Sequence, residues 1–268
     1  DMGKSLSRKV AQKTHAGCLS FELSSGKNRF IINCGLPAVG DDAYRQVARA
    51  TAAHSTATIN ETSSCRFQKQ SWYSRFLPSP LISGPSRVEI DRHESENTVQ
   101  VAGSHDGYTS LFGLMHTRFI QLSDNGDTVN GADRFHRPDD AEPGSTQRMK
   151  PGSAIVAIRF HLHPDIRASL LANGHSILLA APDREAWTFT CIDTPLEIDE
   201  SIYFSGPAGP RRTEQIVLKT DAVNLPEIRW ALTRRKQKKS VRQKATDQDR
   251  YPDLLDTLSE ESGALTGA

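Results

Sequence analysis

The sequence lacks most of the features that mark membrane-spanning or disulfide-stabilised proteins. No apolar run in its 268 residues approaches the ~18 residues that a transmembrane helix needs. The four cysteines form no C-x-x-C motif and no dense framework, which argues against a disulfide scaffold. The first nine residues contain no apolar segment of the kind found in a secretory signal peptide. What is present is 37% apolar residues, a low share but enough for a sizeable core in a chain of this length.

Two apolar segments near the N-terminus predict a β-hairpin. Leu19, Phe21 and Leu23 alternate with polar residues, which is the period of a half-buried strand. Residues 24–28 are turn-forming, and residues 30–32 would form the return strand.

Two of the cysteines flank this hairpin and invite a disulfide across it. Matching the apolar faces of the two strands places Leu19 with Cys34 and turns Cys18 the other way. A disulfide requires Cβ atoms that face each other. We therefore expect free, buried thiols at all four positions, which are Cys18, Cys34, Cys65 and Cys191.

The remainder of the chain up to residue 233 carries the pattern of an all-β protein. Strand-like segments recur about every 8–12 residues with turn signals between them, and Asp124–Asp127 predicts a tight turn between two of them. Residues 41–50 predict a short helix or an irregular crossing, and residues 60–85 a long loop. This pattern predicts an antiparallel sandwich or barrel. The predicted strands are 55–59, 86–92, 98–103, 108–114, 116–122, 128–135, 154–163, 176–180, 186–191, 196–204, 214–218 and 227–232.

The C-terminal residues differ in character from the rest. A basic run over 234–244 is followed by a polar segment with an acidic patch. Blocks of like charge are usually disordered, so we expect a disordered or partly helical tail. A nucleic-acid-binding arm is the alternative, but no aromatic residues are interleaved for base stacking, and we expect no nucleic-acid partner. The predicted organisation is a frayed segment at 1–12, a sandwich domain at 13–233 and a tail at 234–268.

A set of ordered motifs resembles the heparinase II/III family of polysaccharide lyases, and specifically the C-terminal β-sandwich of that family. Each motif alone is weak, but the set in this order is fairly specific. The motifs are His15-Ala-Gly-Cys-Leu-Ser-Phe-Glu-Leu-Ser-Ser-Gly26, Asn33-Cys-Gly35, Arg49-Ala-Thr-Ala-Ala-His54-Ser-Thr56, Ser104-His-Asp-Gly-Tyr108, Gly113-Leu-Met-His116-Thr-Arg118, Arg159-Phe-His-Leu-His-Pro164 and Arg212-Thr-Glu-Gln-Ile-Val-Leu218.

This resemblance implies a large β-sandwich of the polysaccharide-lyase type, preceded in the family by a helical toroid. Asp1 stands before Met2 and the first motif follows almost at once, so we expect a fragment without that toroid. Lyases of this kind cleave acidic polysaccharides by β-elimination, in which a base removes a C–H proton beside a neutralised uronate and an acid protonates the leaving oxygen. The toroid supplies most of these groups, including the tyrosine acid. The resemblance also implies a periplasmic or cell-envelope location, set by the missing part.

The resemblance places candidate catalytic residues at the start of the sandwich. His15 corresponds to the second histidine of an H-x-H motif, and Lys13 stands where the first would be. Lys13 could neutralise a carboxylate as a point charge, or it could be a solvated lysine at a frayed end.

The same resemblance implies a metal site, with zinc as the metal, on His15, Asn33 and His54. Relatives usually have Asp at the position of Asn33, and an amide is a neutral and weaker zinc ligand. A regular strand would also place His15 and Asn33 on opposite faces, so Gly17 would have to supply a bulge. The alternative is a hydrogen-bonded polar cluster at the same place.

Three arginines of these motifs are candidate contacts for an acidic polysaccharide, namely Arg49, Arg118 and Arg159. Two functions of different classes follow. The first is the C-terminal domain of a lyase, inactive as an isolated chain. The second is a non-catalytic sandwich that binds glycan or acts as a scaffold, which the substitutions at Lys13 and Asn33 favour for this chain alone.

Overall fold

Segments in which apolar and polar side chains alternate form two antiparallel sheets that pack face to face. The computed structural model describes residues 1–3, 14–37, 42–68, 81–139, 150, 152–206 and 208–236. The strands are β1 (Leu23–Ser25), β2 (Asn28–Ile32), β3 (Ala57–Ile59), β4 (Arg66–Phe67), β5 (Leu81–Ser83), β6 (Val88–Ser95), β7 (Thr98–Tyr108), β8 (Leu114–Ser123), β9 (Thr128–His136), β10 (Ile155–Leu162), β11 (Arg167–Leu170), β12 (Ser176–Ala180), β13 (Ala186–Thr190), β14 (Leu196–Tyr203), β15 (Arg211–Asp221) and β16 (Glu227–Arg234). The helices are α1 (Asp42–Arg49) and α2 (Thr109–Phe112), and a 3₁₀ turn covers Thr51–Ala53.

The topology confirms the predicted all-β sandwich. One sheet runs β1-β2-β10-β15-β14, with β3 also paired to β10, and the other runs β11-β12-β13-β16-β9-β8-β7-β6. A small third sheet joins β4 to β5. No helix among the described residues is long and apolar enough to cross a membrane.

Aromatic side chains from both sheets meet in the core. The ring centroid of Phe160 on β10 lies 4.8 Å from that of Phe189 on β13 and 4.9 Å from that of Trp230 on β16. Phe21 stacks on Trp230 with centroids 5.5 Å apart. Buried aromatic rings contribute large apolar areas and prefer such offset or edge contacts, so this group holds the two sheets together.

The N-terminal hairpin differs from its prediction. Only Leu23–Ser25 is strand on the first side, and Leu23 pairs with Ile31, with a register shift after it. Leu19 has a φ of +62° within a turn closed by a hydrogen bond from the Ser20 N–H to the Gly17 carbonyl. The predicted pairing of apolar faces was therefore wrong, because the chain turns before the strand begins. All four cysteines are buried free thiols, as expected.

Other local predictions had mixed outcomes. The helix alternative for residues 41–50 is confirmed by α1. Residues 109–112 form α2 instead of a strand, and Gly113 ends that helix with a φ of +64°. Residues 69–80 of the predicted loop at 60–85, with its Trp72, Tyr73 and Phe76, lie outside the described residues, and the rest of that loop contains β4 and β5. The tail from 237 onward and residues 4–12 of the predicted frayed segment also lie outside them. Asp1, at the start of that segment, is held by a 2.6 Å hydrogen bond from the Leu19 N–H to its carbonyl.

Gly131 on β9 tests how tightly the core is packed. A Cβ at this position would lie 2.1 Å from Cζ2 of Trp230, so Gly131→Ala must displace the indole. We expect roughly 2 kcal/mol of destabilisation, measured as the free energy of unfolding in urea, since overpacked core sites typically cost 1–3 kcal/mol. The neighbouring Asn130→Ala, at an exposed position, is the control and should change this free energy by less than about 0.5 kcal/mol. Equal stability of Gly131→Ala and wild type would contradict the packing described.

Candidate functional site

His15 and His54 contact each other directly. The distance from His15 Nδ1 to His54 Nε2 is 3.2 Å, and the rings meet edge to face. His54 directly follows the 3₁₀ turn at Thr51–Ala53. Residues 39 positions apart in the chain therefore form one polar pair.

The hydrogen bonds around this pair define its protonation. His54 Nδ1 lies 2.8 Å from the Ala50 carbonyl oxygen, which can only accept, so His54 Nδ1 donates. In neutral His54 the other nitrogen, Nε2, is then an acceptor, and His15 Nδ1 donates to it. This tautomer leaves a lone pair on Nε2 of His15, which is what a general base requires.

Burial keeps both imidazoles neutral. It lowers the pKa of His54 to about 4. Burial and the nearby Arg49 charge also lower the pKa of His15. The pair is thus unprotonated near neutral pH, as a base or a zinc ligand must be.

Gly17 allows the backbone to approach the pair. A Cβ at Gly17 would lie 2.6 Å from Cδ2 of His54. The glycine is therefore needed for contact with the His54 ring, whereas the sequence had suggested a strand bulge for it. Because the segment from Gly17 to Ser20 is a turn, the strand-based objection to bringing His15 and Asn33 together does not apply.

Asn33 contacts the backbone of the residue that follows His54 and is held by other groups. Its Oδ1 accepts a hydrogen bond of 2.9 Å from the Ser55 N–H, and its Nδ2 donates to Glu22. An amide oxygen has a second lone pair, so Oδ1 retains one site for a ligand.

The two imidazoles fit the zinc that the resemblance implies. Two nitrogens at 2.0–2.1 Å from a tetrahedral zinc ion are about 3.3 Å apart, close to the 3.2 Å observed. The hydrogen bond from His54 Nδ1 to Ala50 is the outer contact that typically orients a metal-bound histidine. Within the described residues, no group of three or more His, Cys, Asp or Glu side chains surrounds such a position, so the third protein ligand would have to be the Asn33 amide.

The three predicted arginines lie in different surroundings. Arg49 is buried near the pair, where its Nε donates to the Thr14 carbonyl and its guanidinium lies 4.0 Å from the Phe67 ring centroid. Arg159 is mostly buried and bonds to Thr58 and Glu61. Lys13 lies outside the described residues.

Arg118 lies in the core, fully inaccessible to solvent. It bonds to both carboxylate oxygens of Asp133, and its Nη1 donates to the carbonyls of Leu19 and Ser55. Asp133 also accepts hydrogen bonds from His116 and Trp230. Arg118 thus ties together the two backbone segments that carry His15 and His54, and its position is that of a support for the site, out of reach of a polymer in solvent.

Ser55 is the residue of this site that sequence reasoning missed. Its N–H donates to Asn33, its Oγ donates to the Ile32 carbonyl and accepts from the His161 N–H, and its carbonyl accepts from Arg118. No sequence pattern reports such long-range contacts for a serine. Its place directly after a candidate ligand, His54, was the only available signal.

Comparison with known proteins gives a family match over most of the chain. Residues 1–231 match the family model described as heparinase II/III-like, C-terminal. FtsZ-localized protein C of Caulobacter vibrioides is 33% identical over 224 residues, which cover 80% of this chain and 36% of that protein.

Solved structures share the fold. Heparan sulfate lyase HepC from Pedobacter heparinus has a TM-score of 0.61 at 13% identity, covering 84% of this chain and 31% of that one. A heparinase III has a TM-score of 0.55 at 13% identity, covering 82% and 29%. The chain spans about a third of the length of the relatives that it matches.

Proposed function

The chain belongs to the heparinase II/III-like family, as its C-terminal domain, and we propose that it forms the polysaccharide-facing wall of a lyase-type protein. The observation that carries this proposal is the contact between His15 and His54, both of which lie in the family-like motifs. The substrate class that we propose is an acidic, uronate-containing polysaccharide, cleaved by β-elimination in the whole protein. The proposed location is the periplasm or cell envelope.

The tautomer of the pair gives His15 a specific role. Its Nε2 lone pair could accept the proton that is removed beside the uronate carboxylate, as a general base does. His54 would fix the orientation of His15 through the ring–ring hydrogen bond. Zinc is an alternative to this role. Held by Nδ1 of His15 and Nε2 of His54 in place of that hydrogen bond, with Asn33 Oδ1 as a third ligand, it would leave the His15 proton on Nε2. When bound, the metal would supply a positive charge for the substrate carboxylate.

The isolated chain should not complete the elimination. Within the described residues, the buried tyrosine Tyr108 donates to the Ala57 carbonyl inside the core and cannot reach a substrate. In keeping with the family resemblance, which places the tyrosine acid in the helical toroid, we propose that the acid lies outside this chain. We propose that most of the groups that neutralise the uronate also lie outside this chain.

We expect stoichiometric zinc in the purified chain, lost in His15→Ala and retained in His93→Ala, whose exposed side chain lies on β6. Elemental analysis after dialysis measures this. In the same preparations, ultraviolet absorbance should show no unsaturated uronate formed from acidic polysaccharides. Zinc that is absent from wild type, or that persists in His15→Ala, would contradict the metal proposal. Unsaturated product from the chain alone would contradict the dependence on a further domain.

A second candidate is a non-catalytic scaffold associated with FtsZ. It is favoured by the 33% identity to FtsZ-localized protein C, against 13% for the compared lyases. A pull-down with purified FtsZ tests it. Retention of wild type and His15→Ala alike would support a scaffold that does not use the histidine pair, and no retention of either would exclude it.

A further inference from the structure

The outer face of the eight-stranded sheet contains a concave groove of about 620 Å³. It is lined by residues of β6, β7, β8, β9, β13 and β16, including His93 on β6, which pairs with Gln100, and by none of the residues of the His15–His54 site. The size falls in the range of small-molecule and oligomer sites, which are mostly apolar with a few placed polar groups.

Three amide side chains form a row across the groove. Gln100 on β7 pairs directly with Gln121 on β8, which pairs with Asn130 on β9. Asn130 Nδ2 donates to Gln121 Oε1 at 3.4 Å. Within the described part of the chain this is the only hydrogen bond of the three amides, so most of their donors and acceptors face the groove unused.

Phe119 forms an aromatic platform in the next row. Its direct neighbours in the ladder are Ala102 on β7 and Ala132 on β9. Two alanines cannot cover a phenyl ring that stands between them, and Phe119 is 43% exposed. The ring is therefore available to a ligand that approaches the sheet. The two alanines lie on the neighbouring strands, each ~4.8 Å from the strand of Phe119.

The ends of the groove carry opposite charges. Asp91 on β6 pairs with Ala102, and Arg229 on β16 pairs with Ala132, so both flank the row of Phe119. Asp193 accepts a 2.7 Å hydrogen bond from the Arg229 N–H and fixes the segment that carries Ile192, which is 78% exposed. The groove thus has an apolar floor, an amide row and no excess of one charge.

We propose that this groove binds an uncharged glycan chain bearing hydroxyl and acetamido groups. A pyranose ring has an apolar C–H face and a rim of hydroxyls, which matches an aromatic platform beside a row of amides. Side-chain amides both donate and accept, as hydroxyl and acetamido groups do. The site is separate from the His15–His54 pair and does not rest on the proposed lyase function.

The balanced charges favour an uncharged glycan over an acidic one. Arg229 lies within 3.9 Å of both Asp193 and Glu227, which offset its charge. Asp91 would repel a uronate at the opposite end. A second copy of the chain is the other occupant considered, and the measurement of oligomeric state below distinguishes it from a glycan.

Calorimetric titration of the full chain with tetra-N-acetylchitotetraose tests the proposal. We expect saturable binding that weakens by roughly tenfold in Phe119→Ala and in Gln121→Ala. Leu111→Ala removes a comparably exposed apolar side chain on α2, outside the groove, and should leave the affinity unchanged. His15→Ala should also leave it unchanged, which separates this proposal from the lyase proposal.

Three outcomes would overturn it. The first is the absence of binding at millimolar oligosaccharide. The second is equal affinity in wild type and Phe119→Ala. The third is a change in oligomeric state for Phe119→Ala, measured by light scattering, without a change in glycan affinity, which would identify the groove as a protein interface.

Discussion

Asp133→Asn should destabilise the sandwich by roughly 3–5 kcal/mol, the cost of leaving a buried charge without its partner. The substitution keeps the shape of the side chain, removes its charge and replaces one acceptor oxygen by a donor. Oδ1 of Asp133 accepts from His116 and from Arg118 Nε, each at 2.7 Å, and Oδ2 accepts from Arg118 Nη2 and from Trp230. An amide nitrogen in place of one oxygen would face these donors as another donor. Urea denaturation followed by tryptophan fluorescence measures the loss.

The matched control for this variant is Asp127→Asn. Asp127 also pairs with an arginine, Arg234, at 3.6 Å, but both side chains are partly exposed. A surface pair contributes about 0–1 kcal/mol, so the same chemical change should have little effect there. Similar losses for the two variants would show that the buried cluster is not the source of stability that its hydrogen bonds indicate.

The sandwich should lose stability steeply as the pH falls from about 6.5 towards 4. Burial lowers the pKa of His161 to about 3 and that of His54 to about 4. Both values lie below the unfolded value near 6.5, so in this window the unfolded chain binds more protons than the fold. The stabilisation is complete above pH 6.5, falls as the pH drops from there to the folded values, and changes no further below them. At pH 4 the loss from His161 alone is on the order of 3 kcal/mol.

His161→Gln separates this effect from general acid denaturation. His161 Nε2 donates to the Ala52 carbonyl and its ring contacts Ser201, so the variant will be less stable at pH 7.5. Its free energy of unfolding should nevertheless change less between pH 7.5 and pH 4.5 than that of wild type. His93→Gln, at an exposed site on β6, should follow the wild-type curve. Parallel curves for His161→Gln and wild type would contradict a titrating His161.

The strands of the large sheet were predictable because one of their faces is apolar and the other polar. Around the first hairpin the same reasoning failed, since Leu19 is buried in a turn with a positive φ rather than in a strand. Leu19, Phe21 and Leu23 are apolar at alternate positions because each packs against other residues, and not because all three lie in one strand. A short apolar period does not distinguish a strand from a turn that packs on the core.

The ion pair between Arg118 and Asp133, which supports the site, could partly be predicted from the sequence. The turn at Asp124–Asp127 predicts a β8–β9 hairpin, and continuing its register places Arg118 directly opposite Asp133, as observed. Two opposite charges at directly paired positions indicate an ion pair. That the pair is buried, and that it reaches Leu19 and Ser55, depends on the packing of the second sheet and could not be read from the hairpin.

The contact between His15 and His54 could be anticipated only from the order of family-like motifs. Its geometry depends on Gly17 and on the 3₁₀ turn before His54. Neither the tautomer nor the engagement of Asn33 by the Ser55 N–H has a sequence signal, because each depends on backbone groups brought in by the fold.

The hydrogen bonds from Arg118 to Leu19 and Ser55 also determine how long the N-terminal segment must wait for its partners while the chain is being synthesised. They span 99 and 63 residues of sequence, and the charge of Arg118 is compensated only once Asp133 exists. At 5–20 residues per second, the ribosome needs on the order of ten seconds to travel from Leu19 to Asp133. Phe21 waits longer still, because its ring partners Phe160 and Trp230 follow Asp133 in the chain. This is the period in which chaperones would be needed most.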